Sequence, residues 1–274
     1  MVTPSPDACL VISLFGPLRL QSPAGFHALN LTGATRDMLA FLLVRAGVPT
    51  RRDVLVATFW PDATMDKGRS ALTTAIWRIK KVLARRAGVS LRTIDDLIVL
   101  ELAEGVVVDA LALRQATAMA HAEGALMSAA NQGRLAVAVD RCNGVVLEGC
   151  DAHWAMVDRE HLTGVYLAAL QILMRGAETC CDWADALTWG RMLLEADPLN
   201  EAVHHQMIAL YARAGERSRA VMQFEMLRRL LRDELGVAPD AGTVALRNSI
   251  LAATPAAPAA PRDTPRRDGA VTHL

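Results

Sequence analysis

One stretch, Asp66 to Leu83 (DKGRSALTTAIWRIKKVL), concentrates the side chains whose types and spacing could do chemistry. Wound as a helix at about 100° per residue, it gathers Leu72, Ala75, Ile76, Ile79, Val82 and Leu83 on one apolar stripe. Ser70, Thr74, Trp77, Arg78 and Lys81 fall on the opposite side, with Thr73 beside them and Arg69 and Lys80 on the flanks. A helix that needs only solubility mixes Glu with Lys at i,i+4 spacing, yet no acidic residue occurs between Gly68 and Gly88. Cationic side chains, short hydroxyls and one flat ring suit phosphate oxygens and base edges. The competing reading is a solvated basic helix, and the flanking segments decide between the two.

Those flanks predict a small α+β domain. Cys9–Phe15 reads as a buried strand, Gly16-Pro17 as a turn, Leu18–Gln21 as a second strand and Phe26–Leu31 as a third. Thr35–Arg45 predicts a mostly buried helix that stops at Gly47 and Pro49. Thr50 is the expected N-cap of a second helix ending at Phe59, before Trp60-Pro61. After the basic helix, Val89–Ile94 and Leu97–Leu102 flank Asp95-Asp96 as a β-hairpin. Strands, three helices and a hairpin, in that order, make a winged helix. Its third helix enters the major groove and its hairpin leans on the DNA backbone or minor groove. Arg92 is the one hairpin cation placed for a phosphate, whereas carboxylates at a tip formed by Asp95 and Asp96 would repel it.

Composition divides the chain of 274 residues into parts of opposite sign, although the net charge is zero. Residues 1–100 carry 13 Lys and Arg against 7 Asp and Glu, while residues 101–252 carry 13 against 20. A basic first part and an acidic second part imply that the first meets polyanions and the second does not. No apolar run approaches membrane-spanning length and no signal peptide is evident, so a cytoplasmic protein without a membrane partner is expected. The five cysteines follow no disulfide or ligand pattern. Cys150, His153 and His161 lie close in sequence but lack a fourth metal ligand, so no metal is expected. No Gly-Lys-Ser/Thr loop, G-x-S-x-G elbow or zinc-protease pattern occurs, and neither an enzyme nor a cofactor is expected.

Val106–Val108 and Asp109 lead out of the hairpin into a helical pattern that runs almost to the end. Leu111–His121 and Leu126–Asp140 form a first pair, Gly144–Asp151 is a loop, and Trp154–Arg175 is a long helix. Ala186 and Ala220 lie 34 residues apart, the tetratricopeptide period. On that alignment Leu173 matches Met207, Ala177 matches Tyr211 and Leu193 matches Leu227. Such helix pairs offer a surface for recognition or self-association. The Ala/Pro-rich segment 252–274, with Arg262, Arg266 and Arg267, is too poor in bulky apolar residues to fold and is expected to be a disordered tail.

These segments also carry a family resemblance. RRDVLVATFWPD followed by RSALTTAIWRIKKVL resembles the OmpR-type winged helix that opens SARP-type bacterial activators. Trp154…Arg159-Glu160, Asp197-Pro198-Leu199…Glu201 and Glu234-Leu235-Gly236-Val237…Pro239 resemble the bacterial transcriptional activator domain that follows it. The resemblance covers residues 10–250. It implies a mainly α protein: a winged helix with a small antiparallel sheet and hairpin wing over 8–103, then an all-α, TPR-like domain over 107–251. It further implies that Thr73, Thr74, Trp77, Arg78 and Lys81 face DNA, Trp77 standing where the family usually has a small residue. The implied function is binding of double-stranded promoter DNA and activation of transcription, the helical domain forming a homodimer or contacting RNA polymerase. The alternative is a TPR-like interaction adaptor whose winged helix no longer binds DNA.

Overall fold

The computed structural model describes residues 10–27, 29–84, 88–124 and 127–253. The expected tail from 254 onward lies outside them. The chain packs as two compact units, Met1–Val203 and His204–Leu274.

The first unit begins with β1 (Leu10–Ser13), β2 (Arg19–Ser22) and β3 (Gly25–His27). They join β7 (Val106–Val108) in a sheet ordered β3-β2-β1-β7. Apolar residues alternate inward along β1, where Leu10 and Ile12 are buried. The three expected strands pair antiparallel, and an unexpected fourth, β7, extends them parallel to β1, with Leu10 opposite Val106 and Ile12 opposite Val108. Parallel pairing needs a long crossover, and the winged-helix helices supply it.

Helix α1 (Gly33–Val44) is buried from Met38 to Val44, and three residues beyond its end Gly47, at a positive φ of 82°, donates its N–H to the carbonyl of Leu100 at 2.8 Å. Thr50 does not cap the next helix. Thr50–Arg51 forms a short strand, β4, against β6 (Leu97–Leu102), and α2 (Arg52–Phe59) starts from an extended Arg51. The backbone there finds its partners in a neighbouring strand, information that no local cap signal carries. Helix α3 (Met65–Leu83) follows, and β5 (Val89–Ile94) pairs with β6 from Val89–Leu102 to Ile94–Leu97 in the hairpin register the sequence predicts.

The first unit continues through α4 (Asp109–Glu123), α5 (Ala129–Asp140), α6 (His153–Thr179) and α7 (Trp183–Ala196). Start of α6 seats on the winged helix: the Trp154 ring meets Phe41 at 5.1 Å and Phe59 at 5.9 Å, and Arg45 bridges to Asp158 at 2.7 Å. One turn further on, Arg159 donates to the carbonyls of Val146, Leu147 and Cys150, holding the 144–151 loop.

Helix α8 (Glu201–Arg213) carries the chain into the second unit, which α9 (Arg217–Leu235) and α10 (Ala241–Ala252) complete. Ile208, Ala220, Phe224 and Ile250 form its core, with Tyr211, Val221, Val244 and Leu246 packed around them. Ala220, the aligned repeat position, is fully buried, as Ala186 is in the first unit.

Candidate nucleic-acid interface

Packing fixes the orientation of α3. Leu72, Ala75, Ile76, Ile79 and Leu83 are buried, so the opposite face must turn outward. Close approach to α2 depends on Gly68: a Cβ built there would lie 2.6 Å from Cγ1 of Val56. With that contact made, Arg69, Ser70, Thr73, Thr74, Trp77, Arg78, Lys80 and Lys81 are all exposed. The structure therefore brings every predicted residue of this helix to its outer face, where Asp66, in the first turn, is the one carboxylate of the helix.

Local bonds set how these side chains stand. Thr73 and Thr74 donate to the carbonyls of Arg69 and Ser70, at 2.9 and 3.0 Å, which fixes their rotamers and leaves oxygen lone pairs outward. Trp77 is 59% exposed, and the Lys81 ammonium lies 5.0 Å above its ring. That cation–π contact is favourable and holds the ring at the surface, where it presents a flat apolar face of the kind a base or sugar can stack on. Lys80 and Lys81 occupy the last helical turn, where they also oppose the negative end of the helix dipole.

A residue outside the predicted set joins this surface. The Arg52 guanidinium, at the start of α2, donates to Oγ1 of Thr73 at 3.2 Å, and its backbone N–H donates to the carbonyl of Asp96 at 3.0 Å. Arg52 thus ties the start of α2 to both α3 and the hairpin tip. The Arg51-Arg52 doublet was the available signal, but only the fold shows which of the two reaches α3. Arg51 instead pairs with Asp53 at 3.1 Å, and that hydrogen bond holds the Asp53 carboxyl below its ordinary value.

The wing differs from α3. Arg92 is exposed on β5 but pairs with Glu101 of β6 at 3.1 Å, so its charge is partly neutralised within the hairpin. Asp95, in the left-handed region at φ 51°, and Asp96 form the exposed two-residue tip. The wing offers one cation, engaged by Glu101, and two further carboxylates at its tip, while α3 and Arg52 carry the positive surface.

A winged helix joined to a domain of helical repeats is thus the class of protein that the fold and the cationic helix define. Residues 107–251 match the family described as BTAD, the bacterial transcriptional activator domain. The chain is 33% identical over 227 residues to the regulatory protein AfsR of Streptomyces coelicolor, a match covering 81% of this chain and 22% of AfsR. It thus spans about a fifth of that relative's length. Among solved structures it is similar to EmbR of Mycobacterium tuberculosis, determined in complex with a low-affinity phosphopeptide, with a TM-score of 0.69 and 21% identity. That superposition covers 89% of this chain and 65% of EmbR, and it shows the shared fold. The chain belongs to the bacterial transcriptional activator domain family, in keeping with the SARP-type resemblance of its sequence.

Proposed function

We propose that the chain binds double-stranded promoter DNA by laying α3 in the major groove, and that it activates transcription in the cytoplasm. The observation that carries this reading is the outer face of α3: eight exposed polar or aromatic side chains, four of them cationic against the single carboxylate of Asp66, backed by a packed inner face. In this reading Arg69, Lys80 and Lys81 meet phosphates, and Ser70, Thr73, Thr74, Trp77 and Arg78 face base edges and sugars. Arg92 adds a secondary backbone contact. Residues 8–103 act as the DNA-binding domain, and residues 107–251 self-associate or contact RNA polymerase.

The test is a gel-shift titration against the chain's own upstream region and an unrelated fragment of equal length, at two salt concentrations. Tighter binding to the upstream DNA is expected. Arg78→Ala should weaken it and relax its sequence preference, and Lys81→Ala should weaken it and lower the salt slope by about one unit. Unchanged affinity in both Arg78→Ala and Lys81→Ala would remove α3 from the interface. The acidic wing tip and the engaged Arg92 favour a second reading, a protein-interaction adaptor without DNA affinity. Absence of binding at low salt together with a stable protein partner would select it.

A further inference from the structure

Helix α9 buries one face and leaves an apolar flank uncovered within its unit. Ala220, Phe224, Leu227 and Leu231 point into the core. Along the flank follow Arg219, Met222, Met226, Leu230 and Asp233, at steps of three, four, four and three residues. Met222 is 70% exposed and Met226 47%, and the flank borders an open groove of about 780 Å³. Two large, adaptable thioethers in solvent at heptad-like spacing form a seam for another helix.

The order of these residues indicates which helix. Arg219 and Asp233 each lie seven residues from Met226, on opposite sides, and Met222 and Leu230 each lie four. If two copies of α9 cross antiparallel with Met226 on the two-fold axis, Arg219 of each copy faces Asp233 of the other. Met222 faces Leu230 in the same way, and the two Met226 side chains meet. An isologous interface demands this self-complementarity, with apolar residues at the centre and opposite charges at the rim. Within one chain Arg219 pairs with Glu216 at 2.7 Å and Asp233 with Arg232 at 2.8 Å, both on the surface. Exposed pairs of this kind are weak and readily exchanged.

We propose that this flank of α9 is the surface through which two copies of the chain associate, antiparallel about Met226. The inference rests on the self-association given above to the helical domain and names its contact. Sedimentation of the full chain without DNA should show a concentration-dependent dimer. Arg219→Asp and Asp233→Arg each set like charges against each other at both ends, and each should weaken the dimer roughly tenfold or more. An equimolar mixture of the two variants, or the double variant R219D/D233R, restores both opposite-charge contacts and should recover dimerisation. Circular dichroism of each variant verifies that the fold is retained.

Single variants that dimerise like the wild type, or a mixture that fails to recover, would overturn this interface. A wild-type chain that stays monomeric would overturn self-association as well. None of these substitutions touches α3, so gel shifts separate the two readings. A monomer that binds promoter DNA loses only the dimer, and a dimer without DNA affinity loses only the DNA reading.

Discussion

Asp109 is the residue on which the first unit turns. It is fully buried, and its carboxylate accepts the N–H of Leu14 at 2.9 Å, of Phe15 at 3.0 Å and of Ala110 at 2.6 Å. It thereby takes up one free N–H in the first turn of α4 and satisfies the backbone where β1 ends, two places otherwise short of acceptors. Burial pushes its pKa up to about 6 from an ordinary 3.8, and the three N–H donors only partly offset this. Between those two pH values the folded chain therefore holds a proton that the unfolded chain has released. The stability tied to this group is fully present below pH 3.8 and is lost as pH rises through about 6. Asp109→Asn should remove that titration, so the stability difference between variant and wild type should change between pH 4 and 6.5 (about the span of the two pKa values) and level off above it. Denaturant unfolding across that range measures it. Asp109→Ala should cost more, about 2–4 kcal/mol, because it leaves buried N–H groups without an acceptor. Nothing near Asp109 in sequence marks it, since its partners Leu14 and Phe15 lie 95 and 94 positions away.

At the scale of elements, α3 shows how close packing presents a surface. Its periodicity alone assigned Leu72, Ile76 and Ile79 inward and Thr73, Trp77 and Arg78 outward, and the structure agrees at each position. The role of Gly68 was not legible in the same way. In a helix interior glycine costs about 1 kcal/mol relative to alanine, so local propensity favours Gly68→Ala. The tertiary contact opposes it, because the new methyl group would press on Val56, itself buried. Overpacking of this kind costs about 1–3 kcal/mol, so a net loss of stability is expected on thermal unfolding, together with weaker DNA binding as α3 shifts outward. Val56→Ala in the same chain should relieve the clash and recover part of the binding. Short β4 and β7 escaped the sequence for a related reason: two or three residues carry too little pattern to be read, and their hydrogen bonds go to β6 and β1.

At the scale of the molecule, sequence pattern and family resemblance place a boundary near residues 103–107, yet the first compact unit runs on to Val203. Within that unit β7 completes the sheet of β1, and Trp154, Asp158 and Asp109 bind residues of the winged helix. A fragment of residues 1–103 lacks all four partners. It should lose its cooperative thermal transition, whereas a fragment of residues 1–203 should keep both that transition and the DNA affinity proposed for α3. Equal melting of the two would show the winged helix to be self-sufficient. The sequence by itself determined what repeats at short range: the two faces of α3, the β5–β6 hairpin, the helical second half and the signatures of the family. Side chains three or four positions apart share a helix face whatever surrounds them, so these features survive without knowledge of the fold. Only the tertiary structure decided that Arg52 reaches Thr73, that Glu101 engages Arg92, and that a buried carboxylate joins α4 to β1. Each of those depends on which side chain reaches which partner across gaps of between 9 and 95 positions, and periodicity specifies faces and registers but not such individual pairs.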